Sequence, residues 1–399
     1  MSPPRGEGAP ATWRQATRLV RGGTRRSPHG ETSEALWLTS GYVYASAAEA
    51  EARFRGDREG FMYSRYGNPT VAMLEERLAL LEGSEDCFAT ASGMAAVYAA
   101  LMCQLKAGDR VVGAKALFGS CHHILTQILP RFGIEVALVD GPRLDQWEAA
   151  LRPSAACVFL ETPANPTLEL IDIGAVASLA RRAGASLIVD NVFATPLHQH
   201  PLELGADVVI YSMTKHIDGQ GRCLGGAVLG TRSFIREKLQ TFMRHTGACL
   251  SPFNAWIMLK GLETLALRVE QMCANALRVA QALASENRVT RVLYPGLASH
   301  AQHDLARRQM QGFGSVVSFE LDGGQPAAHR FLDALRLFDI SNNLGDTKSL
   351  ATHPTTTTHR AMGAEARKEI GVTDGMVRLS VGLEDVQDLV DDIRQALAD

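Results

Sequence analysis

The sequence has no apolar run approaching the roughly 20 residues needed to cross a bilayer. It also has little charge imbalance. Its 399 residues carry 40 basic and 43 acidic side chains, a formal charge of −3, so no field of one sign draws it to nucleic acid or an anionic membrane. Neither partner is expected. No GxxxxGK segment is present, and Gly219-Gln-Gly221 has no third glycine where a dinucleotide fingerprint needs one. Cys121-His122-His123 and His198-Gln-His200 lack metal-ligand spacing, so no metal is expected. Internal repeats are missing, and the threonines at 355–358 are the one biased tract. Cysteine is sparse and unpatterned. Cys87, Cys103, Cys121, Cys157, Cys223, Cys249 and Cys273 stand singly in apolar stretches without a CxxC pair, which predicts reduced thiols and a cytoplasmic location. The first thirty residues carry Arg5, Arg14, Arg18, Arg21, Arg25 and Arg26 against few acids and no hydrophobic signal core. A transit peptide and an arm laid on a neighbouring subunit both have this composition, and the arm is the favoured reading.

What is present is a strand–helix rhythm. A chain of 399 residues favours two domains, because single cores rarely grow past roughly 250–300 residues. Apolar runs at 110–114, 135–139, 156–161, 186–190, 207–212 and 225–230 are rich in Val, Ile and Leu without polar alternation, as strands buried on both faces are. Helical stretches such as 174–183 lie between several of them, so the expected fold is α/β with a mainly parallel sheet. Helical patterns around 254–284 lead into strands at 315–320, 337–341 and 376–381, a smaller α+β domain. The expected division is 1–64 for the arm, 65–264 for the large domain and 265–399 for the small one.

Ligands of open parallel sheets bind at the carboxyl ends of the strands. Three polar clusters sit there: 161–165, Asp190-Asn191, and Ser212-Met-Thr214-Lys215. A lysine directly after a buried strand is costly as an ammonium, but becomes useful when bonded to an aldehyde. On that segment alone, an exposed loop lysine is the other reading. Asp190 ends Ser186-Leu-Ile-Val-Asp190 and either caps the next turn or keeps a pyridine nitrogen protonated. Ser92-Gly93-Met94 opens a small-residue helix whose free N–H groups suit a phosphate; a plain N-cap at Ser92 is by itself the commoner explanation, and the two are compatible.

Together these segments resemble the cystathionine γ-synthase-like, or Cys/Met metabolism, family of pyridoxal phosphate (PLP) enzymes. The resemblance runs from about Thr39 to the C terminus. It rests on Tyr63-Ser-Arg65-Tyr-Gly-Asn68-Pro69-Thr70, Ser92-Gly93-Met94, Glu161-Thr-Pro-Ala-Asn165-Pro166, Val189-Asp190-Asn191, Ser212-Met-Thr214-Lys215 and Val377-Arg378-Leu379-Ser380-Val-Gly-Leu-Glu384, in family order. It implies fold type I, with a seven-stranded sheet in the large domain. It also implies a Schiff base from Lys215 to PLP, after which Lys215 acts as the mobile acid and base. Asp190 would pair the ring nitrogen, and Asn165 the phenolic oxygen. Gly93, Met94, Ser212 and Thr214 would hold the phosphate. Tyr63, counted with Lys215 and Asp190 as catalytic, and Arg65 would reach that phosphate from a neighbouring subunit of a homotetramer. Arg378 would grip the substrate carboxylate, a bidentate task suited to arginine.

Two departures narrow the reading. Many relatives stack a tyrosine on the cofactor; here the run is Leu117-Phe118-Gly119-Ser120-Cys121, and Phe118 keeps the stacking face without the hydroxyl. Asn342-Asn343-Leu344-Gly345 replaces a common Ser-Leu-Gly, which makes Asn343 a substrate-binding candidate. With Lys215-His216-Ile-Asp218-Gly-Gln220-Gly-Arg222, these changes resemble the O-succinylhomoserine sulfhydrylase branch. The expectation is a transferase of methionine biosynthesis acting on an amino-acid substrate and sulfide. Other reactions on the same fold, cystathionine γ-synthase, O-acetylhomoserine sulfhydrylase and the lyases, stand beside it, with a non-catalytic scaffold as the remote alternative.

Overall fold

The structure is a computed structural model that describes residues 13–398; Arg5 of the expected arm lies outside the described residues. Strands β1 (Asp86–Thr90), β2 (Arg110–Ala114), β3 (Glu135–Val139), β4 (Cys157–Glu161), β5 (Ser186–Asp190), β6 (Val208–Ser212) and β7 (Gly226–Gly230) form one sheet. Its order is β1-β7-β6-β5-β4-β2-β3. β2 to β6 are mutually parallel, and β7 runs antiparallel between β1 and β6. The mainly parallel seven-stranded sheet expected from the sequence is therefore present.

β1 is the strand that hydrophobic periodicity does not reveal. Its Asp86-Cys-Phe-Ala-Thr90 has one large apolar residue, and pairing with β7 rather than intrinsic preference defines it. Asp86 at its start is held by Arg236, whose Nε donates at 2.6 Å. Helix starts follow their caps. Asn68 accepts from the N–H groups of Thr70 and Val71 ahead of the helix Pro69–Glu82, with Pro69 in its first turn and Gly83 at φ 78° closing it. Asp172 caps Ile173–Arg182 by accepting from Ala175 N–H. The buried Arg77 donates to Gly22 O and pairs with Glu34, tying the N-terminal segment to the large domain.

The second sheet has the order β10-β11-β12-β9-β8, from β8 (Val289–Leu293), β9 (Val316–Leu321), β10 (Asp339–Ile340), β11 (Leu350–Thr352) and β12 (Met376–Ser380). β10 is shorter than the run at 337–341 suggests, because it is an edge strand with two register pairs and both residues exposed. The helix Leu265–Leu283 links the two cores: Leu265 and Val269 pack with the large domain's second cluster, Ala276, Val279 and Leu283 with the small domain's. The second sheet meets the segment that follows β4 where Ser318 Oγ on β9 donates to Pro166 O at 2.6 Å.

Register sets where the polar residues fall. Glu161 on β4 pairs with Asp190 on β5, Asp190 with Ile210 on β6, and Ser212 on β6 with Gly226 on β7. Gly226 is needed there, since a Cβ would lie 2.2 Å from the carbonyl oxygen of Ser92. Gly226→Ala is expected to push the start of the helix Gly93–Met102 out of place and to remove about 2 kcal/mol of stability, read as a lower midpoint in thermal or denaturant melting. An unchanged midpoint would mean that this approach is not needed for the fold.

Candidate active site

A cavity of about 580 Å³ opens where the strand ends of the first sheet face β12 of the second. Lys215, Asp190, Gly93, Met94, Ser212, Thr214, Phe118, Asn165, Asn343 and Arg378 all line it. Each of these positions was singled out from the sequence, and the fold brings them together from segments nearly three hundred residues apart in sequence numbering (Gly93 to Arg378).

Lys215 follows β6 in a turn, and its Nζ donates to Asn343 Oδ1 at 2.6 Å. Burial, and then the nearby Arg378 charge, holds its amine down to about 8. Asp190 ends β5 at 7% exposure. Burial pushes its carboxyl up to about 7, against one opposing hydrogen bond from Val192 N–H at 3.1 Å. Arg378 stands on the central strand β12, 1% exposed. Its Nη1 donates to Asn165 Oδ1 at 3.0 Å, and its Nη2 to the carbonyls of Asn342 at 2.9 Å and Asn343 at 3.2 Å. Its Nε is buried without a partner. A guanidinium that lines the cavity from a rigid strand is suited to a bound carboxylate.

The end of the cavity at the start of the helix Gly93–Met102 is equally defined. The helix Gly93–Met102 is capped by Ser92, whose Oγ accepts from Ala95 N–H at 3.1 Å, leaving the N–H groups of the first helical residues pointed at the cavity. A Cβ on Gly93 would lie 2.6 Å from Ser212 Cβ, so the backbone there sits directly against the serine. Thr214 is partly engaged already: its hydroxyl donates to Gly225 O at 3.3 Å and accepts from Gly225 N–H at 3.1 Å.

Tyr63 and Arg65 are not in this cavity. Tyr63 is 42% exposed. Arg65 lies 5.2 Å from the Tyr63 ring centre and 5.0 Å from that of Tyr66, and donates to Arg244 O. Arg222, at the end of the run that begins with Lys215, and Lys348 also lie outside this cavity. Arg222 pairs with Asp218 at 2.9 Å and Lys348 with Asp346 at 3.2 Å.

Among the lining residues to which the sequence assigns no role are Glu161, Thr358 and Asn342. Glu161 ends β4 at 4% exposure and accepts from the N–H groups of Phe118 and Asn165. Thr358 lines the cavity beside His359, whose Nε2 faces Asn165 O at 3.1 Å. Asn342 supplies the carbonyl that receives Arg378. An acid at the end of an apolar strand was the signal used for Asp190, and it applies equally to Glu161.

The residues fit PLP. A helix start packed against a serine suits a phosphate. A buried carboxyl raised by desolvation is returned to the ionised form by a cationic ring nitrogen. A buried lysine with a depressed ammonium is ready to bond an aldehyde. Among the described residues, no group of three or more His, Cys, Asp or Glu side chains is arranged to hold a metal, and no helix is long and apolar enough to cross a membrane.

Comparison with known proteins agrees with this geometry. Residues 16–398 match the family model described as Cys/Met metabolism PLP-dependent enzyme. An O-succinylhomoserine sulfhydrylase of Mycobacterium tuberculosis is 58% identical over 388 residues, 96% of each chain. One from Pseudomonas aeruginosa is 50% identical over 382 residues, 96% of this chain and 94% of that one. The crystal structure of cystathionine gamma synthase from Xanthomonas oryzae superposes with a TM-score of 0.92 at 36% identity, covering 97% of this chain and 98% of the other. The cavity, its lysine and these likenesses agree: the chain belongs to the Cys/Met metabolism family of PLP-dependent enzymes.

Proposed function

We propose that this chain is an O-succinylhomoserine sulfhydrylase, a transferase that converts O-succinyl-L-homoserine and sulfide to L-homocysteine and succinate in methionine biosynthesis. One observation carries the reading: Lys215, Asp190 and Arg378 line a single cavity in a chain whose relatives of that name match nearly its whole length.

PLP, when bound, supplies an electron sink for negative charge developed on the substrate. The rest falls to the protein. Gly93 and Met94 offer N–H groups to the phosphate, with the hydroxyls of Ser212 and Thr214 beside them. Asp190 holds the proton on the ring nitrogen, and Asn165, its Oδ1 occupied by Arg378, keeps its amide N–H groups for the phenolic oxygen. Arg378 receives the α-carboxylate of the substrate. Lys215 removes the Cα proton and then a Cβ proton, the Cγ–O bond to succinate breaks, sulfide forms the Cγ–S bond, and Lys215 returns the protons. Asn343, at 2.6 Å from Lys215 Nζ, steers that amine between the two carbons and borders the substrate. Phe118 contributes a flat apolar face and no proton, so the proton traffic rests on Lys215.

Tyr63 and Arg65 we assign to the cavity of a neighbouring copy, with Tyr63 catalytic there, in a homotetramer with shared sites. The arm at 1–64, the large domain at 65–264 and the small domain at 265–399 are the units of that assembly. All seven cysteines are free, which supports a cytoplasmic enzyme.

Purified holoenzyme given O-succinyl- and O-acetylhomoserine, each with sulfide, with cysteine and with no nucleophile, tests the reading. Homocysteine from the succinyl ester and sulfide is expected to form fastest. Rapid keto-acid release without a nucleophile would instead make the enzyme a lyase. Phe118→Tyr adds a proton carrier to the stacking face and is expected to raise elimination relative to replacement; unchanged partitioning would remove Phe118 from the chemistry. The pH dependence of cofactor uptake follows from Lys215. Its amine is protonated below about 8 and neutral above, so the rate at which apoprotein takes up PLP should rise through that pH and then level. A rise only near ~10.4, the value of an unperturbed lysine, would contradict this, and Lys215→Ala should abolish the covalent uptake.

A further inference from the structure

Two acids, not one, end the central strands. Glu161 closes β4 beside Asp190, its partner in the β4–β5 ladder, and the reaction described above gives it no task. The four residues before it, Cys157 to Leu160, are fully buried, and a carboxyl at the end of such a strand must be compensated by hydrogen bonds or charge. The compensation is specific. Oε2 accepts from Phe118 N–H at 2.7 Å, and Oε1 accepts from Asn165 N–H at 2.8 Å. The first donor belongs to the residue with the apolar ring in the cavity. The second belongs to the residue whose Oδ1 receives Arg378 Nη1. Burial and the Asp190 charge push the Glu161 carboxyl up, while the two N–H groups and Arg378 act against them. Arg378, for its part, has Glu161 as the acid that offsets its burial.

We infer that Glu161 is a positioning residue: through one carboxylate it fixes Phe118 and Asn165, and thereby the placement of the ring face relative to the Arg378 guanidinium that receives the substrate carboxylate. The inference rests on the function proposed above and adds to it the element that holds its two halves in register. An amide cannot replace the acid. Glutamine has the same shape but offers one acceptor and one donor to two N–H groups, so one of them loses its partner.

The test uses holoenzyme and two amines that differ in one group. L-2-aminobutyrate and n-propylamine both present a primary amine, but only the first has a carboxylate for Arg378, and neither carries a leaving group. Titration followed by the absorbance of the bound cofactor gives a dissociation constant for each. Glu161→Gln is expected to weaken L-2-aminobutyrate roughly tenfold and to leave n-propylamine unchanged. Adding Glu161→Gln to Asn165→Ala is expected to cause little further loss, because one acts through the other. Glu161→Asp, one methylene shorter, should give the same selective loss and serves if the glutamine variant fails to retain cofactor. Equal weakening of both amines, wild-type affinity for both, or additive losses in the double variant would overturn the inference. A wild-type holoenzyme whose absorbance responds to neither amine would overturn the proposed function and this inference with it.

Discussion

A buried guanidinium has no neutral form to adopt at ordinary pH, and Arg378 is 1% exposed. Burial pulls its cation down only to about 10, so it stays charged and its surroundings must answer it. They do so with the side-chain oxygen of Asn165 and the carbonyls of Asn342 and Asn343. Those partners come from two different loops, one following β4 and one following β10. Because both loops are drawn to the same cation, the large and small domains are aligned at the cavity by an ionic requirement rather than by apolar packing alone. Asn343, held through its backbone, then offers its side chain to Lys215. The lysine's resting place is thus a consequence of the arginine's burial.

The same low-dielectric surroundings set the chemistry. Desolvation is the leading influence on Lys215, Asp190, Glu161 and Arg378 alike, lowering the two cations and raising the two acids. The lysine is thereby brought near the range where groups that exchange protons are most effective, and Asp190 is left to be ionised by a cationic partner. Glu161 is held instead by backbone donors on both oxygens, so two acids on neighbouring strand ends have distinct surroundings: one open to a cation, one committed to the scaffold.

Much of this was legible because buried parallel strands are continuous apolar runs that stop abruptly. Asp190 and Lys215 stand out where those runs end, and the observed β2, β3 and β5 coincide with the runs read from the sequence. β1 was missed because its identity as a strand comes from a partner more than a hundred positions later, Asp86 facing Gly230. β8 was missed for a similar reason: Thr290 and Arg291 face solvent at a sheet edge, where pattern is weak. The contact from Lys215 to Asn343 joins two loops that no periodicity connects. Glu161 was visible in the same way as Asp190, yet nothing local distinguishes an acid that will face a ligand from one that will face two backbone N–H groups. Tyr63 and Arg65 were assigned by resemblance alone, and a single chain keeps them apart from the cavity.

β7 enters the sheet last in sequence but sits between β1 and β6, and its Gly226 touches the backbone of Ser92. In chain order, the residues around Ser92, Gly93 and Met94 are therefore complete only once Gly226 to Gly230 follow, because Gly230 completes the pairing with Asp86. Arg378 comes later still, so the residues that would cradle the cofactor precede, along the chain, the one that would receive the substrate carboxylate.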